Sequence, residues 1–323
     1  MAEKQPLNAT FFAFRKRERG GVLLGASLAY AVIALVLGGL FIWLNWQAVL
    51  DYLNWSVSMS QRGAEDIDPN NPFASMMPPA SVMSIGGWYF LFMVFFYLLF
   101  AAYEAACLRW MIRGETKGFM GLALDADTLR VYFTYWIWFF LLIAFYIVCA
   151  IVAFGAIAGI AGAAQGDPSA MGSMGIVGVL LVLAIIVFLI YFAVRFSPAA
   201  ATSIARRRFA FFEAWTVTKG RFWALFGAFV LLWLMYFVGV MVLSTVATFA
   251  MGASMMAQMQ TGAEPATPEE AFALFASPSV WIPLALLYGV MIIGAFVFYV
   301  GLFGINARAA QAALEEGKIQ PAA

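Results

Sequence analysis

Six long apolar runs constrain this chain more than any other feature, at residues 21–45, 85–108, 131–163, 174–194, 222–250 and 279–303. Each holds about 20 residues or more, the length that a helix rising ~1.5 Å per residue needs to cross a hydrocarbon core of roughly 30 Å. Backbone N–H and C=O groups find no water inside lipid, so such runs must close their hydrogen bonds internally as helices. The expected fold is all-α, a polytopic membrane protein of six transmembrane helices. Composition points the same way: 64% of the 323 residues are apolar and 11% charged, against roughly 45–50% and 25% in soluble domains. A basic amphipathic segment (1–20) precedes the six-helix domain (21–303), and a tail (304–323) follows it.

The cations orient the runs. Of the 18 Lys and Arg residues, all but Arg62 fall before the first run, between the second and third, between the fourth and fifth, or after the sixth. The positive-inside rule then places both ends of the chain in the cytoplasm. The opposite connections carry Asp51, Glu65, Asp66, Asp68, Asp167, Glu264, Glu269 and Glu270. The first run is too long for a signal peptide and lacks a small-residue cleavage site, so it reads as a retained anchor. Trp43, Trp46, Trp88, Trp110, Trp136, Trp138, Trp223 and Trp281 mark ends of runs, where indole rings favour the headgroup layer. The connection at 51–83, with Asn70, Asn71, Pro72, Pro78 and Pro79, favours turns. Thr267-Pro268-Glu269-Glu270 matches a capping box opening a short helix through Phe275.

A similar prelude stands before the first, third and fifth runs. Phe11 to Phe14 leads into Arg15, Lys16, Arg17 and Arg19; Phe119 to Leu124 leads into Asp125 to Arg130; and Arg206, Arg207, Arg208, Phe209, Phe212 and Trp215 lead into Lys219 and Arg221. Aromatic residues at helical spacing beside cations are what an interfacial helix requires, with rings in the headgroup boundary and charges in water. The third prelude predicts a helix from Ala199 to Val217, capped by Ser197 with Pro198 at its first position. The whole reads as three helical hairpins, each preceded by an amphipathic segment. These cations and rings are the expected phospholipid- or partner-binding residues.

The stretch from Phe209 to Leu232, with Phe-Phe-Glu-Ala-Trp-Thr-Val-Thr-Lys-Gly-Arg-Phe-Trp at its centre, resembles bacterial six-span proteins similar to the membrane domains fused to some glycerophosphodiester phosphodiesterases. The resemblance implies a six-helix fold in the bacterial inner membrane. It implies no phosphodiester hydrolysis, because the soluble catalytic domain and its histidines are missing.

The chain contains no histidine, which removes imidazole proton relays, His-ligated metals and Ser-His-Asp hydrolysis. Cys107 and Cys149 lie at different expected depths, so no disulfide is expected. Glu104 is the one acid inside a run, and its place near Arg109 predicts pairing there or a reach to the interface. Gly155, Gly159, Gly162, Gly172, Gly175 and Gly178 predict close packing of the third and fourth helices. Many of the 17 methionines gather on the acidic side. Met251, Met255 and Met259 share one helix face and are candidate soft-metal ligands for monovalent copper, with a protein- or lipid-contact surface and plain packing as the rival readings. Ser244, Thr245 and Thr248 are expected to bond their own helix.

Without catalytic sets, with no cofactor or nucleic-acid signature and few midplane charges, the sequence points away from catalysis. It reads as a scaffold, assembly factor or lipid- and partner-binding module, in contact with phospholipids, a membrane protein or a second copy. Transport of a lipid-like or weakly polar solute is the alternative, and copper handling a second. The orientation has a direct check. In a chain with Cys107 and Cys149 replaced by Ala, Lys318→Cys should react with an impermeant maleimide only after permeabilisation, and Asn70→Cys in intact cells; the reverse pattern inverts the topology.

Overall fold

The structure, a computed structural model, describes residues 7–15, 21–61, 77–163, 168–259 and 278–321. Among these it has no strands and six helices long and apolar enough to span a bilayer, so the chain is a multi-pass membrane protein. The long helices are α1 (Val22–Leu44), α2 (Trp46–Gln61), α3 (Ala80–Arg113), α4 (Ala126–Ala163) and α5 (Pro168–Phe196). Short α6 (Ala199–Arg206) and α7 (Ala214–Thr218) follow, then α8 (Phe222–Met259) and α9 (Pro278–Glu315). Bulky apolar side chains such as Leu35, Phe90, Phe140, Val187, Val242 and Ile293 stand exposed along the spans, a surface that lipid solvates and water would not.

Several helices outrun their apolar segments. The connection expected to turn from residue 51 is helical to Gln61, because Asn45 turns its side chain back on the Phe41 carbonyl at 2.9 Å while its own carbonyl accepts from Val49, carrying the chain into α2. Residues 62–76 and the expected capping box at 267–270 lie outside the described residues. α3 starts at Ala80, where the Pro79 carbonyl accepts the N–H groups of Val82 and Met83.

Packing divides the chain into two units. The first joins Gly21–Cys107 to Glu115–Leu141. Here α1 lies antiparallel to α3: Tyr30 meets Phe96, Phe100 and Tyr103, while Phe41, further along α1, meets Tyr89 and Phe92, further back on α3. The α4 rings of Tyr135 and Trp136 lie against Tyr97, and Tyr135 also against Phe100. The loop into α4 is held by left-handed residues. A Cβ at Gly118 (φ 74°) would fall 1.9 Å from the Leu122 carbonyl oxygen, and one at Gly121 (φ 95°) 2.3 Å from Val22 Cγ1, so only glycine lets the loop close on the start of α1. Asp125 then caps α4, its Oδ1 accepting the N–H groups of Asp127 and Thr128, each at 3.1 Å.

The second unit holds Met1–Gly20, Leu108–Gly114 and Leu142–Ala323. Phe145 of α4 stacks on Phe188 of α5 with centroids 5.5 Å apart, beside an apolar cleft of about 470 Å³ lined by Ala144, Cys149 and Leu181 among others. The close glycine packing expected between these helices is not found at Gly155 or Gly178, where a Cβ would meet nothing within 4 Å. The other expected glycines fall where no side-chain contact is described. α8 and α9 form the most extensive pair, with Trp233 and Tyr236 on Phe298 and Leu232 against Gly301. Both cysteines are free. Ser244, Thr245 and Thr248 bond carbonyls of their own helix, at Met241, Met241 and Ser244.

The cap gives a simple test. Asp125→Ala should lower stability by about 1 kcal/mol, the usual worth of an N-cap side chain, read as an earlier thermal unfolding transition in detergent; Asp125→Asn should keep most of it.

Candidate interfacial site

Most of the cations named from the sequence belong to the second unit, where four chain segments pack into a small-residue knot. α6 is its centre: Ala199, Ala200, Ala201, Thr202, Ser203, Ile204 and Ala205 are all buried. They lie against the end of α9, where Ile305, Ala307, Ala309, Ala310, Ala312 and Ala313 are buried too. Small side chains on both helices let the backbones approach closely. The residues expected to form a tail are therefore helix to Glu315. That helix ends in a Schellman motif: Gly317 (φ 67°) sends its N–H to Leu314, Lys318 sends its N–H to Ala313, and Ile319 folds back buried.

The single helix expected from Ala199 to Val217 is broken. It stops at Arg206 because Arg207 turns left-handed (φ 55°) and returns its N–H to Ile204. Arg113 donates to the same Ile204 carbonyl at 3.1 Å. The Ser203 hydroxyl accepts the Ala210 N–H at 3.1 Å, redirecting the chain into a 3-10 turn at Phe211–Glu213 and then α7. Ser197 does not cap α6. Its hydroxyl bonds backwards to Val194 at 3.0 Å because α5 runs on to Phe196, leaving Pro198 at the cap position. The preludes alike in composition also fold differently, the first as a 3-10 turn at Phe12–Phe14 and the second as a loop closed by the Phe119–Leu122 bridge.

After the break the rings divide. Phe211 is buried and stacked on Phe196 with centroids 5.2 Å apart, while Phe209 and Phe212 are exposed. Trp215 lies against Tyr191, Phe192 and Phe196, and the Arg195 guanidinium sits 5.0 Å from its ring centre, also over Tyr191 and Phe222. Of the expected interfacial tryptophans, Trp223 is 77% exposed and Trp110 only 5%, packed in the knot.

The cations divide by reach. Arg206 pairs with Glu213 and donates to the Gln320 carbonyl at 2.8 Å. Arg221 pairs with Glu316, which Lys318 also contacts at 2.8 Å. Arg207 and Lys219 are exposed, and Arg208 is exposed beside Glu213 at 2.6 Å. Arg15 is exposed, donates to the Asn8 carbonyl and stands 6.0 Å from the Phe12 ring centre. Lys16, Arg17 and Arg19 lie outside the described residues, and so do the side chains of Met251, Met255 and Met259, although their backbone belongs to α8. The capping donors Arg113 and Gln311, the latter on the Met111 carbonyl at 2.9 Å, were not singled out from sequence. The Glu-Glu-Gly-Lys signal at Glu315–Lys318 could have revealed the α9 stop.

Glu104, in the first unit, does not reach an interface. It is buried and receives a hydrogen bond from the Tyr135 hydroxyl. No family model, curated protein or solved structure matches the chain, so the resemblance over Phe209–Leu232 assigns nothing to these residues.

Partial burial raises the pKa of the Glu316 carboxyl, but its bonds to Lys318 and Arg221 outweigh that, and the net effect holds it below its ordinary 4.5. A lowered carboxylate adds stability above the unfolded-state value and loses it as pH falls through the folded one. The melting temperature in detergent should therefore fall as pH drops below about 4.5, and Glu316→Gln should lower it at neutral pH and flatten the acid response.

Proposed function

We propose that this chain is a non-catalytic protein of the bacterial inner membrane, with both ends on the cytoplasmic side, acting as a scaffold or assembly module for phospholipid and a membrane partner or second copy. The observation that carries the reading is the knot. It is a packed body of small residues that holds Phe209, Phe212 and Trp223 exposed, on the same short stretch of chain as exposed Arg207, Arg208 and Lys219. Rings and cations on one rigid support match an anionic membrane surface, where each Lys or Arg is worth about 1 kcal/mol. The segregation of cations along the sequence and the absence of histidine support the same reading.

The test uses delipidated full-length protein. Phosphatidylglycerol should raise its melting temperature more than phosphatidylcholine does, and a variant with Arg207, Arg208 and Lys219 all changed to Gln should lose that difference. Equal stabilisation by both lipids refutes the lipid-surface role, and protein-dependent solute flux in proteoliposomes refutes the non-transport role.

A further inference from the structure

A groove of about 640 Å³ runs between α8 and α9, lined by apolar side chains such as Met235, Val242, Val246, Val290 and Val297 and by no charged one. Phe11 and Phe14 close one end of it. They are fixed there because Ala13, between them, is buried on Gly304, where a Cβ would fall 2.7 Å from that of Ala13. Arg15 follows directly and is exposed. The groove thus has an aromatic mouth beside a cation and an apolar body that extends along the outer side of two spanning helices.

Dimensions select the occupant. From Leu232 to Val246 the lining covers about 21 Å of α8 at ~1.5 Å per residue, which exceeds the roughly 15 Å depth of one leaflet's hydrocarbon. An unbranched acyl chain can follow an apolar groove of that length, and no charged side chain interrupts it. The cation at the mouth complements a phosphate. We propose that this groove binds one acyl chain of an anionic phospholipid, with its phosphate at Arg15. The proposal rests on the lipid-binding reading above and deepens it by naming a site.

Gly239 and Gly294 line the groove, and a Cβ at either meets nothing within 4 Å. Leucine at these positions therefore fills the groove without a backbone clash and with better helix propensity. The test is native mass spectrometry of the full chain after incubation with phosphatidylglycerol or phosphatidylcholine. Wild type should retain one phosphatidylglycerol in preference to phosphatidylcholine. Gly239→Leu and Gly294→Leu should each lower that occupancy about tenfold, and Arg15→Gln should keep lipid but lose the preference. Should either leucine variant fold poorly, wild type with phosphatidylglycerol carrying a diazirine in its acyl chain gives the same answer: crosslinks should map to residues 232–246 and 290–298. Unchanged retention in well-folded leucine variants, crosslinks only elsewhere, or a retained second chain lost on filling the groove would overturn the proposal. If the Arg207, Arg208 and Lys219 variant still loses its anionic-lipid stabilisation in those cases, the functional reading stands and the groove assignment alone fails.

Discussion

The ends of the helices decide how the second unit is built. A helix leaves its last four carbonyls without internal partners and carries about half a negative charge there, and at a lipid boundary water cannot be counted on to meet them. α3, α5 and α6 each end in the knot, and protein donors from other segments answer them. Gln311 reaches the end of α3, the Thr218 hydroxyl reaches the Arg195 carbonyl of α5 at 3.3 Å, and Arg113 reaches the end of α6. Because each donor comes from a different helix, satisfying one terminus also ties two segments together. Cations of the knot thus serve as caps and pair members, Arg113 as a donor at a C-terminus, which the macrodipole favours.

The spans were legible in the sequence because the bilayer sets a length and the apolar runs meet it locally. Their ends were less so. The stretch after residue 304 carries Asn306, Arg308, Gln311 and Glu315, so it leaves the apolar run, yet it remains helical because alanines on its inner side pack against α6. The break at Arg207 was invisible, since it depends on Ser203 accepting from Ala210 and on Arg113 arriving from a segment 91 residues earlier. That break also places the rings, with Phe211 inward and Phe209 and Phe212 outward. Glycine spacing misled in the opposite direction: Gly155 sits in a pattern associated with close packing, but contact also needs a partner surface, and a Cβ at Gly155 would meet nothing within 4 Å.

The same residue type performs different work according to where its head can reach. Arg221 keeps only 10% of its side chain exposed and Arg206 only 18%, both bound to carboxylates, whereas Arg208 keeps 52%. Exposed ion pairs contribute little in water, so Arg208 remains available to an external phosphate at small cost, while freeing the mostly buried Arg221 would leave Glu316 with Lys318 alone. A charge count along the sequence treats all of these as equal; the packing sorts them into those that hold the knot and those that face outward.

In the first unit, polar groups fix register where aromatic packing alone would permit sliding. Tyr103 and Glu104 are adjacent on α3 and therefore point about 100° apart. Tyr103 bonds Ser27 of α1 at 2.8 Å, and Glu104 accepts from Tyr135 of α4. One helix thus grips two neighbours through consecutive residues. Lost partners inside an apolar layer cost several kcal/mol per group, and a shift of either neighbour by one turn would break its bond. The rings stacked around Tyr30 supply area without direction; these two bonds supply the direction.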